Sequence, residues 1–271
     1  MVGEDEDGNA IAIRISCRRE WCSDCRDIEH DKRRARSLRR LMQILPMAYD
    51  VITFPLEVRL IMRNPKVLTL LAKKVRRLYR RSGYRKVYTR WHFFGSKSNV
   101  YNPHLNVLYD GRWLSPQELA DFKDLIRCKL LRRSIAKEIK KDLVIHHQYF
   151  RSSKKAMHRI NYVTKATFLE REWDEPLAEA LYGFHNACFA GHWNDPPKWH
   201  LTHKDKKLAV LAKLQDGLHP ISGKPITWSR KPIPWVLVLM RDPVHLGGWW
   251  YLLPPIRSPP GRPLTPQLKA S

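Results

Sequence analysis

Apolar positions along the chain recur with a period of two in some stretches and near 3.6 in others, and these periods predict its elements. Ile11, Ile13 and Ile15 alternate, as in a short strand. Residues 31–45 (DKRRARSLRRLMQIL) read as a basic helix closed by Pro46, and residues 48–54 (AYDVITF) as a strand closed by Pro55. Over residues 65–82, Val67, Leu70, Leu71, Val75 and Leu78 keep a helical period. Lys73, Lys74, Arg76, Arg77, Arg80 and Arg81 take the other side, and Gly83 marks the stop. Residues 86–94 and 104–109 read as strands around a polar turn. Ser115-Pro116-Gln117-Glu118 opens a helix, with serine as cap, proline first and glutamate third. Leu119, Phe122, Ile126 and Leu130 carry that helix to about residue 141. Residues 143–150 read as another strand. Ser152 or Ser153 then caps a helix bearing His158, Tyr162 and Lys165.

Residues 48–168 thus run β-α-β-β-α-β-α, which predicts an α+β fold with a central antiparallel sheet and packed helices. An N-terminal segment (1–45) precedes this domain (46–168). An α-rich, aromatic C-terminal extension (169–271) follows, with helical pieces at 177–190 and 204–214 and the apolar runs PIPWVLVLM and GGWWYLLPP. The last fifteen residues are rich in proline and predict a loose tail.

Charge changes the picture most. The 271 residues hold 50 Lys+Arg against 26 Asp+Glu, net +24, while 43% hydrophobic content suffices for a core. That balance points to a polyanionic partner, most simply nucleic acid. No apolar run is long enough to span a bilayer, and Glu4, Asp5, Glu6 and Asp7 give the N-terminus the wrong charge for a secretory leader. A cytoplasmic setting, in a prokaryote or a virus's host cell, is expected.

Cys17, Cys22, Cys25 and His30 are spaced C-x4-C-x2-C-x4-H, and a C-x-x-C turn offers two thiolates to zinc from one tight loop. Cys128 and Cys188 read as small buried residues. In the 104–109 strand, His104 and Asn106 share a face while Leu105 and Val107 serve the other. His92, on the neighbouring strand, could join them around a divalent ion.

Three stretches resemble the motifs of the HUH single-strand endonucleases, of the type that initiates rolling-circle replication of plasmids and viruses. Val51-Ile52-Thr53-Phe54-Pro55 is similar to the first motif, Pro103-His104-Leu105-Asn106-Val107-Leu108 to the second, and Tyr162-Val163-Thr164-Lys165 to the third (Y-x-x-K). Asn106 departs from the pattern, standing where the family has a second histidine. The resemblance covers roughly residues 46–168, and some members carry a cysteine cluster ahead of the domain.

The resemblance implies a catalytic Mn2+ or Mg2+ on His92, His104 and Asn106. It implies attack by Tyr162 on a single strand at a replication origin, aid from Lys165, and a covalent 5′-phosphotyrosine. Transposases and relaxases share this scheme. A non-catalytic zinc-containing nucleic-acid-binding protein is a rival reading from another class, sustained by Asn106. The chain has no GxxxxGK[ST] motif, so a host helicase and polymerase would be separate partners. Tyr149 is a competing nucleophile. His146 or His147 could reach the metal, and His158 could assist proton transfer. Arg33, Arg34, Arg36, Lys73, Lys74, Arg77 and Arg80 are the expected phosphate contacts. Tyr101, Trp91, Trp193, Trp199, Trp228 and Trp235 are available for base stacking or core filling. The turn His219-Pro220-Ile221-Ser222-Gly223-Lys224 reads as an ordinary Gly/Pro turn.

Overall fold

The computed structural model describes residues 1–254, leaving aside 16, 18, 96, 132, 203 and 204 and the side chains of 133–135. The proline-rich last fifteen residues therefore lie outside the described residues. In chain order the strands and helices are β1 (Val2–Glu4), β2 (Ala10–Ile13), α1 (Arg26–Leu41), β3 (Met47–Thr53), α2 (Leu56–Arg59), α3 (Pro65–Arg81), β4 (Lys86–His92), β5 (His104–Tyr109), α4 (Pro116–Leu130), α5 (Arg133–Ile139), β6 (Val144–Phe150), α6 (Ser153–Val163), α7 (Glu175–Ala180), β7 (Ala187–Gly191), α8 (Lys206–Gln215), β8 (Thr227–Trp228), α9 (Trp235–Leu239), β9 (Val244–Gly247) and β10 (Trp250–Leu253). The fold is α+β with two antiparallel five-stranded sheets, ordered β6-β3-β5-β4-β7 and β8-β1-β2-β10-β9.

Local chemistry explains several boundaries. The Asn64 side chain accepts from the Lys66 backbone N–H at 2.9 Å and Pro65 fills the first turn of α3. Ser115 and Glu118 form the reciprocal capping box of α4, at 3.3 and 2.8 Å. That helix stops earlier than its apolar spacing predicts. Leu131 turns extended (φ −117°, ψ 119°) and buries its side chain, and a separate short helix, α5, follows. The stretch expected to be helical over 177–190 ends instead in an edge strand. β7 pairs with β4, and Gly191 closes it at φ +102°, where a Cβ would run into the Arg85 carbonyl oxygen.

The central sheet has two covered faces. Ala48, Ile52, Val87, Trp91, Leu105, Val107 and Tyr109 pack against α3 and α4 through Leu68, Val75, Leu78, Tyr79, Phe122 and Ile126. Asp50 lies in this layer at 1% exposure. It accepts from the Tyr79 hydroxyl at 2.5 Å and sits 2.7 Å from His147 Nδ1. On the other face, Met47, Tyr49, Tyr88 and Leu108 meet α1 (Ala35, Leu38, Leu41), α6 (Ala156, Ile160, Val163) and α8 (Leu208, Leu211, Leu214).

The second sheet joins the two ends of the chain: β2 pairs with β10 from Trp250↔Ile13 to Leu253↔Ala10. Strands from 1–45 and 169–271 thus share one sheet, and β7 of the C-terminal stretch completes the central one. Trp91 and Trp199 are core residues, at 1% and 6% exposure, rather than stacking platforms. Cys128, expected to be buried, is exposed, and Cys188 is half-buried. The turn at 219–224 is tied to the β1–β2 turn, where Ser222 Oγ donates to Asp5 at 2.6 Å and Lys224 pairs with Glu6 and Asp7, each at 2.7 Å.

Candidate functional site

Residues far apart in sequence meet on the face of the central sheet covered by α1 and α6. In register, His92 of β4 stands opposite His104 of β5, and Arg90 opposite Asn106. The His92 and His104 rings are 5.3 Å apart and perpendicular, and the Tyr162 ring of α6 lies 5.4 Å from His92. Both histidines are buried, at 2% and 9% exposure. Burial, with Arg90 and His104 beside it, pushes His92 down to about 3, and burial lowers His104 as well. Both rings are therefore neutral at pH 7.

Their tautomers follow from their partners, because a carbonyl oxygen only accepts. His92 Nε2–H donates to Val163 O at 2.8 Å, leaving the lone pair on Nδ1. His104 Nδ1–H donates to Asn102 O at 2.8 Å, leaving it on Nε2. A ring N–H anchored to a backbone carbonyl is how a metal-ligating histidine is held. Each ring therefore keeps one nitrogen with a free lone pair.

Asn106 does not complete the expected metal set. It has no exposure, its Oδ1 accepts the Tyr49 hydroxyl at 2.5 Å, and its Nδ2 donates to Arg90 O at 3.3 Å. Both ends of the amide are engaged within the protein, so it reads as a clamp between β3, β4 and β5. Burial pushes the Tyr49 phenol above its ordinary range, so it remains a donor to Asn106.

The end of α6 that presents Tyr162 is held by a ring of donors. Arg33 Nε donates to Thr164 O at 3.2 Å, Arg90 Nη2 to Lys165 O at 3.2 Å, and His30 Nε2 to Asn161 O at 3.1 Å. With His92 on Val163, three side chains satisfy carbonyls that the helix C-terminus leaves open, and Arg90 takes the carbonyl just beyond it. Glu20 offsets one of the two positive charges in this cluster, 2.6 Å from Arg90 and 3.8 Å from Arg33. Burial alone would raise its carboxyl, but the two guanidiniums overcome this and hold it at about 2.

No family model, curated protein or solved structure matches this chain. The site is accordingly read from its own geometry.

That geometry revises several expectations. Lys165 does not share a helical face with Tyr162, since α6 ends at Val163, Thr164 is its C-cap and the Lys165 side chain is exposed beyond it. The cation at the tyrosine is Arg159, one turn earlier. Its guanidinium lies 5.5 Å from the Tyr162 ring and 4.6 Å from the Tyr49 ring, and Nη2 donates to Gln148 at 2.6 Å. Its Nε is buried without a partner. Sequence reading passed over Arg159, although its i,i+3 spacing from Tyr162 was a usable signal. Tyr149 pairs with Ala48 and packs in the α3 layer, away from His92. His147 is likewise bound to Asp50 in that layer. His146 and His158 are exposed.

Cys17, Cys22 and Cys25 bring their sulfurs within 4.8 Å of one another and could hold a metal ion. His30 is not part of the group. Its Nε2 is spent on Asn161 O and Thr164 Oγ1, each at 3.1 Å, and burial lowers it to about 4. Burial pushes the Cys25 thiol up to about 12, so a bound cation would have to displace that proton.

The expected phosphate contacts divide. Arg33 and Arg34 are largely internal, Arg34 binding Asn161 Oδ1 at 3.0 Å and Asp31 at 2.8 Å. Arg36 is exposed on α1. Lys73, Lys74, Arg77 and Arg80 are exposed on α3, which packs on the sheet face opposite Tyr162. No helix among the described residues is long and apolar enough to cross a membrane.

Proposed function

We propose that the protein nicks and rejoins single-stranded DNA through Tyr162, as initiators of rolling-circle replication do. One observation carries this reading: the His92 ring lies 5.3 Å from that of His104 and 5.4 Å from that of Tyr162, so residues of β4, β5 and α6 meet on one sheet face. A divalent ion on His92 Nδ1 and His104 Nε2, manganese fitting this nitrogen set better than magnesium, would polarise the scissile phosphate.

The chain's own residues do the rest. The Tyr162 oxygen attacks phosphorus as its phenolic proton passes to water, the P–O3′ bond breaks, the departing 3′ oxygen takes a proton from water, and the 5′ phosphate stays on the tyrosine. Arg159, whose guanidinium lies 5.5 Å from the Tyr162 ring, meets the negative charge gathering on the phosphate. His92, Arg33, Arg90 and His30 keep the end of α6, and hence the tyrosine, in place. Transposases and relaxases run the same step, and the DNA sequence cut would tell them apart. The test incubates the protein with labelled single strands and manganese. A band of protein-plus-DNA mass on a denaturing gel supports the reading, and none with any strand or metal removes it.

Arg159→Gln is expected to slow adduct formation about 100-fold, the scale for losing one preorganised donor. Strand affinity should stay within a few-fold. An unchanged rate would return the cationic role to Lys165.

A second reading, a nucleic-acid-binding protein without catalysis, is favoured by the engagement of Asn106 with Tyr49 and Arg90. Tight strand binding with no adduct would select it.

In either reading the cysteine group holds zinc. About one zinc per chain is expected, lost in Cys22→Ser but kept in His30→Ala, since His30 faces α6. Elemental analysis of the purified variants decides: no zinc in the parent protein removes the site, and loss in His30→Ala restores that residue as a ligand.

A further inference from the structure

A cleft of about 1920 Å³ runs beside the tyrosine site, well beyond the few hundred to thousand Å³ of ordinary small-molecule pockets. One wall is a face of α1. Glu29, Lys32 or Arg33, Arg36 and Arg40 recur there every three or four residues, over roughly 16 Å of helix, and Gln43 follows just past its end. The facing wall comes from residues 181–189 and 193–197, in the stretch for which sequence offered no role. Tyr88 and Arg90 of β4 also line it. On that strand His92 follows Arg90 by one pleat, so cleft and tyrosine site adjoin along one row of side chains.

Cations outnumber acids seven to four along the lining. The four acids are answered within the protein: Glu20 by Arg90, Glu29 by Lys32, Asp216 by Arg39 and Asp195 by Lys86. Arg19, Arg36 and Arg40 make different contacts. Arg40 lies 4.8 Å over the Phe189 ring, Arg19 5.3 Å over Tyr182, and Arg36 donates to Gln215. Phe189 and Trp193 meet edge-on at 5.0 Å, and Tyr182 is 61% exposed.

We infer that this cleft holds a single strand of nucleic acid running from the tyrosine site, with phosphates on Arg36 and Arg40 and bases against Tyr182, Phe189 and Trp193. Exposed arginines interleaved with aromatic rings suit a strand whose base faces are open. A duplex presents no such faces. The inference goes beyond the nicking reading, because it concerns binding and holds whether or not Tyr162 reacts.

The test measures the affinity of full-length protein for fluorescent oligothymidylate of about 20 nucleotides. It is run without added manganese or magnesium, to exclude nicking, over a salt series from about 50 to 200 mM. The double variant Arg36→Ala/Arg40→Ala should bind about tenfold more weakly, with a salt slope smaller by about 1.4. Tyr182→Ala should bind at least about fivefold more weakly. All three side chains are exposed, so the fold should tolerate the changes. Lys73→Ala/Arg77→Ala, on the far layer, should change affinity less than about twofold. Equal loss in the α3 pair, no loss in the α1 pair, or duplex bound as tightly as the single strand would overturn the assignment. Binding that follows these variants without any adduct would uphold the cleft and remove the tyrosine chemistry alone.

Discussion

Tyr162→Phe is expected to eliminate the covalent protein–DNA adduct, with a loss on the order of 10⁴-fold or more in nicking, the scale seen when a nucleophile is deleted. Single-strand affinity should hardly move, because the cations and rings of the cleft are untouched. The fold should hold as well. Tyr162 is only partly buried, and the end of its helix is secured by His92, Arg33, Arg90 and His30 rather than by the phenol. Tyr149→Phe should leave the adduct intact, since Tyr149 packs in the α3 layer on the far side of the sheet. A denaturing gel on the two variants decides: an adduct surviving in Tyr162→Phe, or lost in Tyr149→Phe, ends the assignment of the nucleophile.

The second large effect is a loss of stability in mild acid. Unfolded, His92 and His30 take up a proton near their ordinary 6.5. Folded, burial first and then neighbouring arginines hold them off until about 3 and about 4. The unfolded chain binds more protons throughout that window. Stability is therefore full above pH 6.5 and drains as pH falls towards 4 and then 3. At pH 5, His92 alone accounts for about 2 kcal/mol, and the less completely buried His30 adds a smaller amount. Glu20 acts lower down. Its carboxyl is depressed from 4.5 to about 2, so its contribution is present above 4.5 and lost on the way to 2. Urea unfolding at pH 7 and pH 5, with no manganese or magnesium added, should show the fall. The His92→Gln curve should be flatter by the His92 share, and a variant as acid-sensitive as the parent would refute the attribution.

The parts of the fold legible in sequence were those written locally. The strand at 104–109, the capped start at Ser115 and the helix over 65–81 each rest on periodicity and end signals within a few residues, and each is present. What escaped depended on partners remote in sequence. β7 is a strand because β4 offers it an edge. The second sheet needs Trp250 and Leu253 to meet Ile13 and Ala10, which no local period announces. The same holds in the site. Histidine spacing pointed to His92 and His104, and the fold brings them together. The spacing of Asn106 and His30 suits metal ligands, but it carries no sign of the Tyr49 hydroxyl that bonds Asn106 or of the α6 atoms that engage His30. Lys165 was credited by helical spacing in a helix that stops short of it.

The sheet that unites both ends of the chain imposes an order on synthesis. β2 leaves the ribosome long before β10, and its edge is unpaired until β10 has emerged. A bare edge strand is a template for unwanted pairing, and contacts this distant close slowly. β2 must wait while all the intervening chain is made, so the nascent protein stays open to aggregation through that interval.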